Sequence, residues 1–143
     1  MSAPVFDGGG LCGAIRYRAA GEPANPSHCH CQDCRRSSGA PFVSWATFRA
    51  GDFAFTRGSP QQYAYDGRVR SFCGRCGTPL TFQAAEWPDE IDVTLGSLDQ
   101  AERVTPRDHI WGSDRLPWIT MADGLPLFAG RRTASTETQG SSS

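Results

Sequence analysis

The stretch 29–34, Cys-His-Cys-Gln-Asp-Cys, carries the strongest chemical signal of the 143-residue sequence. In an extended chain Cys29 and Cys31 point to the same face, because side chains alternate between faces from one residue to the next. A tight turn after Cys31 can then bring Cys34 close to both. Thiolates are preferred ligands of tetrahedral zinc, so the spacing predicts a zinc site on Cys29, Cys31 and Cys34.

Three protein ligands leave one coordination position for an external ligand, which is the arrangement typical of catalytic zinc. His28 and His30 fall on the opposite face of the same alternation, so neither is an easy fourth ligand. They are expected to shuttle protons, orient the loop or have a structural role. A closed site with a fourth ligand from elsewhere in the chain is the alternative, and the open site is favoured.

A second motif is residues 73–77, Cys-Gly-Arg-Cys-Gly, a C-x-x-C pair with glycines that permit a tight turn. A thioredoxin-like redox pair would need a βαβ context, which this sequence does not offer, so zinc is favoured. Cys12 is the sixth cysteine and is predicted to join this pair, with a buried structural thiol as the alternative. One or two Zn²⁺ ions per chain are expected, held by Cys12, Cys29, Cys31, Cys34, Cys73 and Cys76.

Composition limits the possible partners and the cell compartment. We find no basic cluster followed by an apolar core at the amino terminus and no apolar run of membrane-spanning length, so a cytoplasmic protein without a membrane partner is expected. Thiols stay reduced there, which favours metal over disulfides. The net charge of -1 provides no field toward phosphate, so no nucleic-acid partner is expected. The oligomeric state is not predicted.

The apolar pattern predicts a mainly β fold in a single domain, residues 1–130. Phe42, Trp45 and Phe48 are assigned to its core, and residues 131–143 to a disordered tail that has little to bury. One short helix is expected at Asp33–Ser38. Strands are expected at Ala14–Arg18, Phe42–Phe48, Phe53–Phe55, Gln62–Tyr65, Arg68–Phe72 and Ile91–Leu95.

Three segments, 9–17, 28–42 and 72–77, together resemble the glutathione-dependent formaldehyde-activating enzyme (GFA) family in order and spacing. Segments 109–111, 116–118 and 123–126 are similar to its carboxy-terminal pattern. The resemblance implies a zinc-stitched, coiled antiparallel β-structure with the catalytic zinc on Cys29, Cys31 and Cys34.

The same resemblance implies a structural zinc bound by a C-x-C pair and the later C-x-x-C pair. Here Gly10 stands at the first position of the C-x-C pair, so Cys12, Cys73 and Cys76 remain. Water or a substitute such as Asp7 would complete the site, or the metal would be weakly held.

The function implied by the resemblance is that of a carbon-sulfur lyase, S-(hydroxymethyl)glutathione synthase-like, which condenses a thiol such as glutathione with an aldehyde such as formaldehyde. Arg35 and Arg36 are candidates for binding the carboxylates of the thiol substrate, with ordinary surface arginines as the alternative. His109 could line a pocket with Trp111 and Trp118, although a packed core histidine is favoured.

A second class of function stays open, namely a non-catalytic zinc-binding module for protein or chromatin interaction. Such modules usually carry basic or low-complexity arms. The sequence has neither, so the enzyme is favoured.

Overall fold

The computed structural model describes residues 3–132, and the rest of the predicted tail, residues 133–143, lies outside the described residues. The chain is mainly β, which confirms the predicted fold class. One helix is α-helical, α1, Gln32–Ser38, and single 3₁₀ turns lie at Ala50–Asp52, Leu95–Ser97, Ala101–Arg103 and Gly112–Asp114. The strands are Val5–Gly9 (β1), Arg16–Ala20 (β2), Ala24–Cys29 (β3), Val43–Arg49 (β4), Phe53–Arg57 (β5), Gln61–Tyr65 (β6), Arg68–Phe72 (β7), Pro79–Ala84 (β8), Glu90–Thr94 (β9) and Asp108–Ile110 (β10).

The chain divides into two compact units. Unit 1 contains the residues up to Ala24 and Ala46–Val104, and unit 2 contains Asn25–Trp45 and the residues from Thr105 onward. In unit 1, β1, β2 and β5 form one antiparallel sheet. The remaining strands of that unit are neighbours in the order β4, β9, β8, β7, β6.

The β6–β7 hairpin shows how local sequence sets the sheet of unit 1. Its two-residue loop is Asp66-Gly67, and both residues have positive φ, 47° and 75°. This is the geometry of a type I′ turn, for which Asp-Gly is a strong sequence signal. The hairpin pairs Gln61 with Phe72 and Tyr65 with Arg68, so the C-x-x-C motif begins directly where β7 ends.

The core of unit 1 is built from the inward faces of its strands. Tyr17 and Leu80 are fully buried there, and Phe6 packs edge-to-face on Phe48 with ring centroids 5.7 Å apart. Cys73 is part of this core cluster with no exposed surface. One of the predicted metal ligands is therefore anchored in the hydrophobic core.

Unit 2 has β10 parallel to β3, with His109 beside His28 and Ile110 beside Cys29. Helix α1 follows β3 after two residues, with Cys31 as its N-cap. It ends at Gly39, whose φ of 72° is the left-handed conformation that glycine adopts without steric cost. The helix predicted at Asp33–Ser38 is thus confirmed, one residue longer.

The sequence analysis did not predict strands β1, β3, β8 and β10, and two further groups of residues also differ from the expectation. Of the aromatic residues assigned to the core, Trp45 and Phe48 are buried, whereas Phe42 is half-buried and packs against histidine rings. The strand expected at Ala14–Arg18 begins at Arg16 because the preceding residues form the Cys12 loop.

Among the described residues, no helix combines the length and apolar character needed to cross a bilayer.

Candidate metal centre

The first cluster consists of Cys29, Cys31 and Cys34 in unit 2. Cys29 is the last residue of β3, Cys31 is the N-cap of α1, and Cys34 lies in the first turn of that helix. Their three Sγ atoms lie within 4.8 Å of one another. Tetrahedral zinc with Zn–S bonds of about 2.3 Å requires sulfurs about 3.8 Å apart, so these residues fit a zinc ion with small side-chain adjustments.

The protonation chemistry of the first cluster also fits a cation. Contacts with the Cys31 and Cys34 thiols, together with burial, raise the pKa of the Cys29 thiol. Neighbouring thiolates without a positive charge repel one another, whereas a bound divalent cation would reverse that balance. Cys31 Sγ also accepts a hydrogen bond from the Cys34 backbone N–H, at 3.3 Å, which supports negative charge on this sulfur.

The second cluster consists of Cys12, Cys73 and Cys76 in unit 1. Their sulfurs also lie within 4.8 Å of one another, and the Sγ atoms of Cys12 and Cys73 are 3.7 Å apart, close to the tetrahedral value. Cys12 is exposed and Cys73 is buried. The turn is closed by the Gly77 N–H, which donates to the Cys73 carbonyl at 2.7 Å. All six cysteines are free thiols, so none forms a disulfide.

Gly10 borders the second cluster. A Cβ atom at position 10 would lie 3.4 Å from Cys76 Sγ and 3.3 Å from Cys73 Cβ. A side chain at this position would therefore begin at the cluster itself. Asp7, the expected substitute ligand, is not in the cluster, because its carboxylate accepts a hydrogen bond from Arg18 Nε at 2.9 Å.

Thr78 is a neighbour of the second cluster that the sequence analysis did not identify. Its hydroxyl lies 3.2 Å from Cys76 Sγ and accepts a hydrogen bond from the Leu11 backbone N–H at 3.0 Å. The hydroxyl is the main cause that lowers the pKa of the Cys76 thiol to about 6. Thr78 follows Gly77, and nothing in its local pattern distinguishes it from an ordinary turn threonine.

The two predicted substrate-binding arginines differ in their surroundings. Arg36 is exposed, whereas Arg35 is half-buried. The Arg35 Nε atom is buried and has no hydrogen-bond partner within residues 3–132. Arg35 also lies four residues after Cys31, which places both residues on the same side of α1. Arg35 therefore differs from Arg36 in lying on the Cys31 side of the helix with a buried donor.

All three histidines of the chain come together in unit 2. The His109 ring stacks on His28, with centroids 4.8 Å apart, and its Nδ1 atom lies 3.0 Å from His30 Nε2. His109 Nε2 lies 2.8 Å from a carboxylate oxygen of Asp123, and His28 Nδ1 lies 2.7 Å from Ser44 Oγ. Burial, followed by the neighbouring histidines, lowers the pKa of His28 and lowers that of His30 to about 4.

The favoured core position of His109 agrees with the structure, because this residue has no exposed surface. Its two expected neighbours do not share that environment. Trp111 is 37% exposed and Trp118 is 68% exposed. The sequence analysis assigned no role to Asp123, although it lies in the segment 123–126 that resembles the family pattern. An aspartate followed by a glycine is typical of a turn. Only the fold brings the Asp123 carboxylate to His109.

Known proteins resemble this chain over most of its length. Residues 5–114 match the model of the family described as glutathione-dependent formaldehyde-activating enzyme. A Schizosaccharomyces pombe protein named as an uncharacterized lyase is 30% identical over 125 residues, which cover 87% of this chain and 91% of the relative. A solved structure, that of a Rhodobacter sphaeroides structural genomics target, is 28% identical, with a TM-score of 0.57 over 71% of this chain and 92% of that one. The chain belongs to the glutathione-dependent formaldehyde-activating enzyme family.

Proposed function

We propose that this chain is a zinc-dependent carbon–sulfur lyase that condenses a thiol such as glutathione with an aldehyde such as formaldehyde. The observation that carries the proposal is the first cluster, in which three thiols lie within 4.8 Å of one another and offer a metal three ligands. Three protein ligands are the usual number in catalytic zinc sites, because the fourth position receives the reactant. Membership of the family and a relative named as a lyase support this class of reaction.

Zinc held by Cys29, Cys31 and Cys34 would supply a positive charge that keeps a substrate thiol deprotonated at neutral pH. The addition itself needs no oxidant or reductant. The thiol sulfur forms a bond to the aldehyde carbon, the π electrons of the carbonyl move to oxygen, and that oxygen gains one proton. The proton lost by the thiol balances the one gained, so the product is the S-hydroxymethyl adduct.

The chain's own residues preorganise this site. The Cys34 N–H bonded to Cys31 Sγ stabilises negative charge on one sulfur. At the other end of α1, the Gly39 N–H donates to the Arg35 carbonyl at 2.8 Å, and Ser38 Oγ donates to the Cys34 carbonyl at 2.8 Å. These bonds hold a seven-residue helix that would be too short to form alone.

Arg35 and Arg36 are the proposed binding groups for the thiol substrate. Glutathione carries two carboxylates, and the planar guanidinium group of arginine binds carboxylates with two parallel hydrogen bonds. The buried Arg35 Nε without a hydrogen-bond partner among the described residues favours Arg35 as the main contact. The exposed Arg36 would contribute mainly through its charge.

The decisive experiment mixes zinc-loaded protein with formaldehyde and glutathione and follows adduct formation by exchange NMR against the uncatalysed rate. Catalysis should appear together with glutathione binding in calorimetry. An unchanged rate at high enzyme concentration, without heat of binding, would reject glutathione as the substrate. Another thiol, or the non-catalytic zinc module, would then take its place.

A matched pair of variants tests the binding groups. Arg35→Gln should weaken glutathione binding by about 1.5–3 kcal/mol if a charge-assisted hydrogen bond is lost, and Arg36→Gln should have a smaller effect. Zinc content should be unchanged in both, which separates substrate binding from metal binding. Negligible effects in both variants would show that neither residue binds the substrate.

A further inference from the structure

The three histidines and Asp123 connect β10 to the chain segment that carries the first cluster. His30 stands between Cys29 and Cys31, and its backbone N–H donates to the Ile110 carbonyl at 3.0 Å. The His30 side chain contacts His109, the residue before Ile110 in β10, with 3.0 Å between His30 Nε2 and His109 Nδ1. The residue between the two cysteines is thus held by β10 through both its backbone and its ring.

The hydrogen bonds that link Asp123, His109 and His30 have a defined donor-to-acceptor direction. A carboxylate only accepts, so His109 Nε2 carries the proton in its 2.8 Å contact with Asp123 Oδ2. If His109 also carried a proton on Nδ1, His30 would have to place its own proton on Nδ1, where no acceptor lies within residues 3–132. His109 Nδ1 is therefore the acceptor, and His30 donates to it from Nε2. This leaves His30 Nδ1 without a proton, and Nδ1 is buried with no hydrogen-bond partner within residues 3–132. A buried acceptor without a partner is less rare than a buried donor without one, which agrees with this direction.

Asp123 is itself held in place. Its other oxygen, Oδ1, accepts a hydrogen bond from the Leu125 backbone N–H at 3.1 Å. The two oxygens therefore have separate roles, one in the turn and one toward His109. The backbone of His109 has neighbours on both sides. Its backbone N–H donates to the Pro126 carbonyl at 2.8 Å, and its strand, β10, runs parallel to β3.

We propose that Asp123 and His109 are positioning residues for the first cluster: they hold the His30 ring in one tautomer, protonated on Nε2, and thereby fix the segment that joins Cys29 to Cys31. Groups that orient metal ligands from outside the coordination sphere commonly change metal affinity by about 10–100-fold when they are mutated. The same logic applies here through the backbone, because displacement of His30 displaces the two cysteines that flank it. The inference rests on the metal site of the proposed function and not on its substrate.

Asp123→Asn tests the proposal with little change in shape. The amide oxygen should keep the bond from the Leu125 N–H, which places the amide NH₂ group against His109 Nε2. Two donors would then face each other, so His109 must turn to its other tautomer, and His30 must follow. Histidine side-chain nitrogen NMR of the zinc-loaded full chain should show both tautomers reversed. The reversed His30 ring carries its proton on Nδ1, a buried atom with no hydrogen-bond partner within residues 3–132, so the ring should shift and displace the flanking cysteines. Chelator competition should therefore show the metal affinity of the first cluster lowered by about 10–100-fold.

A second variant and a control complete the experiment. His109→Phe keeps a ring beside His28 but removes both hydrogen bonds, so it should weaken metal binding without imposing a tautomer on His30. Asp99→Asn, which alters an exposed carboxylate of unit 1, should change neither measurement. None of these readouts uses activity, so failure here is separable from failure of the proposed substrate.

Three outcomes would overturn the proposal. The His30 tautomer could be unchanged in Asp123→Asn, or both tautomers could reverse while metal affinity stays the same. Metal analysis could also find an additional ion that is lost in this variant, because suitable ligand atoms of His28, His109 and Asp123 lie within 4.8 Å of one another. In that case these residues would be metal ligands and not positioning groups.

Discussion

The two cysteine clusters contain the same number of thiols but are assembled in different ways. The first is contained in six consecutive residues and is shaped by the end of β3 and the start of α1. The second joins Cys12 to a turn that begins 61 residues later, and Cys73 lies in the hydrophobic core of unit 1. Local chain geometry therefore brings the thiols of the first cluster close together, whereas the second can form only when unit 1 folds and the cost of closing a long loop is met.

The largest expected effect comes from Cys31→Ser. Cys31 is the middle ligand of the first cluster and the N-cap of α1. Serine is itself a good N-cap, so this substitution removes one thiolate of three while keeping the helix cap. We expect the metal of the first cluster and all catalytic activity to be lost. Metal analysis should still find the ion of the second cluster, and Cys12→Ser should give the opposite pattern. Loss of both ions from either variant would show that the clusters are not independent.

Removal of metal by a chelator should distinguish the clusters in time. Cys12 is exposed, and Gly10 offers no side chain, so the second cluster should release its ion first. Alkylation of the freed cysteines, followed by peptide mass mapping, would show which thiols become reactive early. Early modification of Cys29, Cys31 and Cys34, with the second cluster still protected, would contradict the prediction.

Gly10→Cys should reverse this order. A Cβ at position 10 would begin 3.4 Å from Cys76 Sγ, within reach of the same ion. Loss of a group that only orients a metal ligand typically changes affinity by about 10–100-fold. A fourth thiolate would bind the metal directly, so we expect it to slow release by more than this. Gly51→Cys is the control, because a Cβ there meets no atom within 4 Å. Faster release from the Gly10 variant would mean that the contact with Cys73 distorts the site.

The smallest effect is expected at Thr78. Thr78→Val removes the hydroxyl that lies 3.2 Å from Cys76 Sγ and should therefore raise the pKa of that thiol from about 6. A thiol with a higher pKa is protonated more readily at neutral pH, and protonation displaces the metal, so release from the second cluster should accelerate by up to about tenfold. Thr78→Ser should restore the original rate, and the first cluster should not change.

Much of the first cluster was predictable because its information is local. The spacing of Cys29, Cys31 and Cys34, the short helix and the Arg68–Phe72 strand all follow from neighbouring residues, and the structure contains each of them. The grouping of Cys12 with the later pair followed from counting cysteines and from the family resemblance. Alternation of side chains also separated His28 and His30 from the cysteines in the prediction.

The partners of those histidines could not be predicted in the same way. His109 reaches His30 only because β10 pairs in parallel with β3 across about eighty residues of sequence, and no local pattern specifies that pairing. Asp123 and Thr78 are ordinary turn residues until the fold gives them neighbours. The exposed Trp111 and Trp118 show the same limitation, because an aromatic residue indicates apolar surface but not which element covers it.

The ion pair at the first residue of β10 determines how far the chain can be shortened. Asp108 is buried, and both of its carboxylate oxygens bind the guanidinium group of Arg132, one of them at 2.9 Å. A protein that ended at Gly130, the predicted domain boundary, would leave this carboxylate buried without its partner beside His109. Removal of one member of such a pair strongly destabilises the fold, because it leaves a buried charge without compensation. The shortest length that retains a stable β10 should therefore include Arg132.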